Sequence, residues 1–142
     1  MLTDIDKQLF LFFNGLHSSM LDLLMWQISG KWIWIPLYIF ILFAVIKTFG
    51  KRSIFVIIAI ILTIVASDQL SVLVKNSVQR LRPSHNPDFE GLVHIVNNYR
   101  GGIFGFVSSH AANCFGVATF VSLLFSRKWV TCSIFFWAII VS

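Results

Sequence analysis

The sequence predicts an all-α fold: a polytopic bundle of transmembrane helices with a helical hairpin lying in the membrane interface at its amino end. Three observations lead there. Of 142 residues, 57% are hydrophobic and only 12% charged, too apolar a balance for a soluble domain of that length. The apolar residues fall in near-continuous blocks rather than in the amphipathic periods of a soluble core. Those blocks are parted by the short basic turns Gly50-Lys51-Arg52 and Ser126-Arg127-Lys128 and by one long polar segment.

Residues 1–30 read as two interfacial helices. Thr3 with Asp6, and Ser19 with Asp22, have the spacing of amino-terminal caps, and Asn14-Gly15 and Gly30 are natural stops. Ile5, Leu9, Phe12, Phe13 and Leu16 share one helical face, as do Leu21, Leu24, Met25 and Ile28, which suits a hairpin in the interface. A shallow first span beginning near Phe10 is the alternative, since Asp22 alone interrupts that stretch. Residues 32–47 then form a first span, flanked by Lys31 and Lys47, with Trp32, Trp34 and Tyr38 at the headgroup boundary. A second span covers 54–74.

The segment 75–105 is polar and holds Pro83, Pro87, His85 and His94, and a loop of that length signals function. A third span covers 106–125, and a fourth apolar run covers 129–142. That last run has 14 residues, about 21 Å of helix against a hydrocarbon core of about 30 Å, so the chain reads as one incomplete membrane domain, cut short at its carboxyl end. Basic turns after the first and third spans belong on the cytoplasmic side, which turns the 75–105 loop outward.

The formal charge of +5 does not point to nucleic acid, because the basic residues sit at span ends and in one loop rather than along a helical stripe. Anionic lipid headgroups are the better partner. Cys114 and Cys132 lie inside apolar blocks without metal-ligand spacing and read as buried free thiols. The acidic amino terminus lacks the basic region and cleavage site of a removed leader.

Two constellations can carry chemistry. Asp68, Lys75 and Arg82 recur every seven residues, so on a continuous helix they share a face. Pro83 turns Arg82 out of helical geometry, placing its guanidinium where the helix meets the loop and where it can fork onto two phosphate oxygens. The second is Ser108-Ser109-His110 at the start of the third span. Either serine can cap that helix, leaving free N–H groups and the positive dipole end as an anion site. His110 in the first turn can then give a proton to a leaving oxygen.

These residues carry a resemblance. Lys75-Asn76-Ser77-Val78-Gln79-Arg80-Leu81-Arg82-Pro83 resembles the K-x6-R-P motif of the phosphatidic acid phosphatase type 2 superfamily, and Ser108-Ser109-His110 is similar to its P-S-G-H motif, with Val107 for Pro and Ser109 for Gly. The resemblance implies a metal-independent, cofactor-free lipid phosphatase of the bacterial cytoplasmic membrane, its active site facing outward. Lys75, Arg82, Ser108 and Ser109 would hold phosphate and His110 would protonate the leaving group. The family's nucleophile is a histidine in a third motif, S-R-x5-H-x3-D. After Ser126-Arg127 the matching positions are Ser133 and Trp137, so that motif is expected beyond Ser142, the histidine there forming a phosphohistidine, and 1–142 alone is expected to be inactive.

Small size and the interfacial hairpin resemble members acting on undecaprenyl pyrophosphate; phosphatidate, phosphatidylglycerophosphate and lipid A phosphates stay open. The competing class is a non-enzymatic membrane protein or transporter fragment that binds anionic headgroups, though repeats and matched broken helices are not evident. His85 and His94 have no carboxylate at helical spacing to orient them as nucleophiles. Asp88 and Glu90 read as solvated charges, and Arg100-Gly101-Gly102 as either a phosphate-gathering backbone or a flexible loop. Ala112 and Gly116, four apart, indicate close helix packing.

Overall fold

The computed structural model describes residues 2–30 and 32–142, the side chains of Leu2 and Thr3 excepted; the Thr3 cap and the flanking Lys31 lie outside the described residues. The fold is all-α. Its helices are α1 (Leu2–Gly15), α2 (Ser19–Ile28), α3 (Ile35–Phe49), α4 (Ser53–Val78), α5 (Ser109–Phe125) and α6 (Lys128–Val141), with single turns of 3-10 helix between several of them. Among the described residues the only β pairing is one isolated antiparallel bridge, Leu81 with Phe104.

Local chemistry sets the helix ends. Helix α2 is capped by Ser18, not Ser19: Ser18 is extended, with φ −151° and ψ 157°, and its hydroxyl accepts from the Leu21 N–H at 3.2 Å. Ser19 is already helical, and a capping residue has to stand outside the helix for its oxygen to reach forward. Helix α3 ends at Gly50, whose φ of +53° is open to glycine at little cost. Helix α4 runs on to Val78 and closes with Gln79 in the left-handed region, φ 50°, whereas the loop was expected from 75. Helix α5 starts at Ser109 rather than 106, because Ser108 is its extended cap.

The stretch Trp32–Val78, 47 residues broken at Gly50, is long and apolar enough to cross a membrane. Helices α5 and α6 are apolar but shorter, at 17 and 14 residues. The pair α1 and α2 passes the same test only when its two members are taken together, and they meet at 108°.

Packing is tightest where α5 lies between α4 and α6. Cys114, Ala118 and Val121 of α5 and Ile134, Trp137, Ala138 and Val141 of α6 form the buried core. Small residues, Ala118, Ala138 and Gly116, stand at these crossings beside larger ones and let the helices approach closely. A methyl group built on Gly116 would lie 3.7–3.8 Å from Ser67 and Thr63, so α5 rides close on α4 there. Ser122 and Thr131 join α5 to α6 through hydroxyls 2.7 Å apart. The Trp137 ring meets Trp34 and Tyr38 of the α3 segment edge-on, and Trp34 Nε1 donates to the Ile28 carbonyl at 2.7 Å, anchoring the end of α2.

The hairpin rests on the loop between α4 and α5. Phe10 packs on the buried Phe89, ring centroids 5.5 Å apart. Lys7 pairs with Asp88 at 2.5 Å, and Arg80 pairs with Asp6. Asp88 is therefore an anchoring charge rather than a merely solvated one, and its hydrogen bond holds the Lys7 ammonium above the ordinary lysine range. Phe12, Phe13, Leu16 and Met20 stay exposed.

Candidate active site

The end of α4 and the start of α5 meet through three side chains. Lys75 Nζ donates to Ser109 Oγ at 2.6 Å, and Ser109 Oγ lies 2.6 Å from Ser71 Oγ. The Ser71 hydroxyl gives its one proton to the Asp68 carbonyl at 2.7 Å. A hydroxyl has a single proton to donate, so Ser71 must accept from Ser109, and Ser109 must accept from Lys75. The direction of the whole chain follows: ammonium to Ser109, Ser109 to Ser71, Ser71 to the backbone of α4. Lys75 keeps its other two N–H donors for a ligand. Ser71, 3% exposed, is a residue the sequence reading passed over; its place four before Lys75 on the same helical face was the available signal.

Ser108 and Ser109 divide the work at the α5 terminus. Ser108 caps the helix, its hydroxyl accepting from the Ala111 N–H at 3.2 Å, which frees the Ser109 hydroxyl for Lys75. The backbone N–H groups of Ser109 and His110, in the first turn, have no acceptor within the helix and carry its positive end.

Arg82 arrives by another route than the heptad predicted. Helix α4 stops at Val78, so Asp68 and Lys75 share its face but Arg82 stands beyond it, extended at φ −69° and ψ 145°. The loop holds it: the Arg82 N–H donates to the Ile103 carbonyl at 2.8 Å and Gly105 N–H to the Arg80 carbonyl at 2.9 Å. Two glycines make room. A methyl group on Gly105 would sit 3.2 Å from the Arg82 Cα, and one on Gly101, at φ +67°, would fall 1.8 Å from its Nη1. Gly101 thus seats the Arg82 guanidinium. Among the described residues no carboxylate pairs with Lys75 or Arg82, nor does any cation pair with the Asp68 carboxylate.

His110 is exposed on the first turn of α5 and stands at the wall of an apolar cavity of about 430 Å³ between α3, α4 and α5, with Tyr38, Leu42, Ile61 and Asn113 around it. A second cleft, about 730 Å³, opens between the hairpin and the loop; Arg82, Arg100, Trp26 and Tyr99 line it. His85 braces the loop, its Nε2 3.2 Å from the Gly101 carbonyl, and Ser84 donates to the Arg100 carbonyl at 2.8 Å. His94 does have a carboxylate partner, Asp22, at 2.8 Å, brought by tertiary contact rather than helical spacing. Cys114 is buried, while Cys132 is exposed and so is not the buried thiol expected.

Lys75 and Ser109 meet at the first turn of α5, while His110 borders the apolar groove and Arg82 the hairpin cleft. Among the described residues no hydrogen bond joins His110 or Arg82 to Lys75 or to the Ser109 hydroxyl. Cations, unclaimed N–H groups and an imidazole are nonetheless the donors a phosphate ester takes. The sequence profile of the PAP2 superfamily matches residues 54–142. The lipid A 4'-phosphatase of Bacteroides thetaiotaomicron is 48% identical over 141 residues, covering 96% of this chain and 62% of that protein. The lipid A 4'-phosphatase of Porphyromonas gingivalis is 37% identical over 139 residues, covering 96% and 58%. The chain thus spans about three fifths of the length of these curated relatives. No solved structure matches.

Proposed function

Because the chain belongs to the PAP2 superfamily, we propose that it forms the phosphate-holding part of a membrane phosphatase that hydrolyses lipid phosphate esters without a metal at the reaction centre. The carrying observation is the Lys75–Ser109 contact, which joins the two motifs at the positive end of α5. Lys75 and Arg82 neutralise the phosphate, and the N–H groups of Ser109 and His110 receive its oxygens, donors preorganised where charge builds in the transition state. His110, between that site and the apolar groove, gives its proton to the departing lipid alkoxide. In-line attack on phosphorus by a histidine carried beyond Ser142, giving a phosphohistidine that water opens, completes the reaction.

Similarity to two lipid A 4'-phosphatases makes a phosphorylated lipid A the first substrate to try. The aromatic and basic lining of the hairpin cleft, with Trp26, Tyr99, Arg82 and Arg100, suits a sugar-phosphate headgroup better than a small one. Membership of the bacterial cytoplasmic membrane with the loop outward is part of the same proposal.

The test is phosphate release in detergent by the whole protein from phosphorylated lipid A, undecaprenyl pyrophosphate and phosphatidate. Parallel reactions use Lys75→Ala, Arg82→Ala and His110→Ala. The proposal expects the lipid A phosphate to be hydrolysed fastest and His110→Ala to lower the rate by about 10²–10⁴-fold. Undiminished turnover in His110→Ala would remove its role as acid. Headgroup binding with no release from any of the three lipids would favour a non-enzymatic membrane protein.

A further inference from the structure

We propose that His17, Asp22 and His94 form a binding site for a divalent transition-metal ion of the zinc class, one that fastens the amino-terminal hairpin to the loop. His17 lies in the break between α1 and α2, Asp22 in the first turn of α2, and His94 in the loop, more than 70 residues away. Their ligand atoms all fall within 4.8 Å of one another. Two imidazoles and one carboxylate are a donor set that zinc takes readily, with a fourth position left for water.

Two features separate this cluster from a chance meeting of surface side chains. His94 is held in place from behind: the Asn14 carboxamide accepts from the His94 backbone N–H at 2.7 Å and donates to its carbonyl at 3.1 Å. Locking a ligand's orientation in advance is what supporting partners do at metal sites. The second feature is His17. The Asp22–His94 hydrogen bond, 2.8 Å, satisfies one carboxylate and one ring nitrogen without it. Yet the His17 ring lies against the His94 ring, centroids 3.8 Å apart and planes 11° from parallel, and among the described residues neither of its nitrogens is hydrogen-bonded. An ion gives one of those nitrogens a partner.

Coordination requires two adjustments. Ring nitrogens approach zinc in the ring plane at about 2.0–2.1 Å, which a parallel stack does not permit, so His17 has to swing out of the stack while His94 and Asp22 part by the width of the ion. His17 is exposed and sits outside both helices, so it can turn without disturbing the core. The bound ion replaces one hydrogen bond with three coordinate bonds spanning hairpin and loop. His94 and Asn14 also line the cleft that holds Arg82 and Arg100. The ion's task is structural, and no step of hydrolysis passes through it.

The experiment uses the whole protein without a polyhistidine tag, purified in mild detergent and stripped of metal. Zinc is titrated by calorimetry, cobalt(II) by visible absorption, and bound metal is counted by elemental analysis. His17→Ala is the decisive variant, because it leaves the Asn14–His94 and Asp22–His94 contacts intact; circular dichroism checks its fold, and Asp22→Asn repeats the test on a second ligand. Expected are one ion per chain and an affinity lowered at least about 100-fold in each variant, since outer partners alone are worth about 10–100-fold. Absence of stoichiometric binding, or equal binding by wild type and His17→Ala, would overturn the site. None of these readouts uses turnover, so the result is independent of whether the protein hydrolyses lipid phosphates.

Discussion

Because Ser71 spends its one hydroxyl proton on the Asp68 carbonyl, Ser109 must donate to Ser71 and accept from Lys75, and that makes the two contributions of Ser109 separable. Its side chain steadies Lys75, and its backbone N–H, in the first turn of α5, has no acceptor within the helix and, on the proposed function, is the group that meets phosphate. Ser109→Ala should therefore cost stability, about 1.5–3 kcal/mol for a hydrogen bond from a charged donor, read from unfolding in detergent. Inorganic phosphate affinity should change by less than about tenfold, because the N–H survives and phosphate oxygens can take the hydroxyl's place at Lys75. Arg82 gives a second prediction at the same scale. A methyl group on Gly101 would overlap its guanidinium at 1.8 Å in a backbone with φ +67°, so Gly101→Ala should weaken phosphate binding about as much as Arg82→Ala does. Gly102 has nothing within 4 Å of such a methyl, and Gly102→Ala is the matched control, expected to bind phosphate as wild type does in the same equilibrium titration.

The helices carry these residues into register, and the α4–α5 crossing is where a small change can be read. Gly116 faces Ser67 and Thr63 with 3.7–3.8 Å to spare for a methyl group, an ordinary contact distance. Gly116→Ala should raise stability by about 0.5–1 kcal/mol through backbone entropy alone, while Gly116→Leu should force α5 from α4 and break the Lys75–Ser109 contact; thermal unfolding with phosphate titration on both variants checks the pair. The sequence is most legible at this scale. Apolar blocks, caps and small residues four apart are local patterns, and the all-α class follows from them. Arg82 shows where local reading stops. Its heptad spacing from Lys75 predicted a shared helix face, yet Gln79 in the left-handed region ends α4 first, and the guanidinium reaches its place through the Leu81–Phe104 bridge and the seat at Gly101. Both depend on residues some twenty positions away, which no window of helical periodicity contains.

Across the whole molecule, the hairpin and the 79–108 loop are coupled by contacts that sequence separation hides: Phe10 on Phe89, Asn14 on His94, Trp26 on Tyr99. The hairpin's two apolar faces were legible in the sequence; their engagement with the loop was not, because an amphipathic stripe does not reveal whether it meets lipid or protein. The exposed ion pairs at Lys7 and Arg80 orient this contact but supply little of its strength, since water and salt screen such pairs. The Phe10–Phe89 pair is the apolar anchor, with Phe89 only 7% exposed. An aromatic pair contributes about 0.5–1.5 kcal/mol beyond its buried area. Phe10→Ala should therefore speed hydrogen exchange at the Phe89 and His94 backbone amides by at least about threefold, 1.4 kcal/mol being tenfold. Amides in the middle of α5 and α6 should exchange as in wild type, because their core contains nothing from the hairpin except Ile28 at its edge. Uniform acceleration through α5 and α6 would instead show that hairpin, loop and bundle open as one unit. Selective acceleration makes the hairpin a separately opening wall of the cleft that Arg82 and Arg100 line.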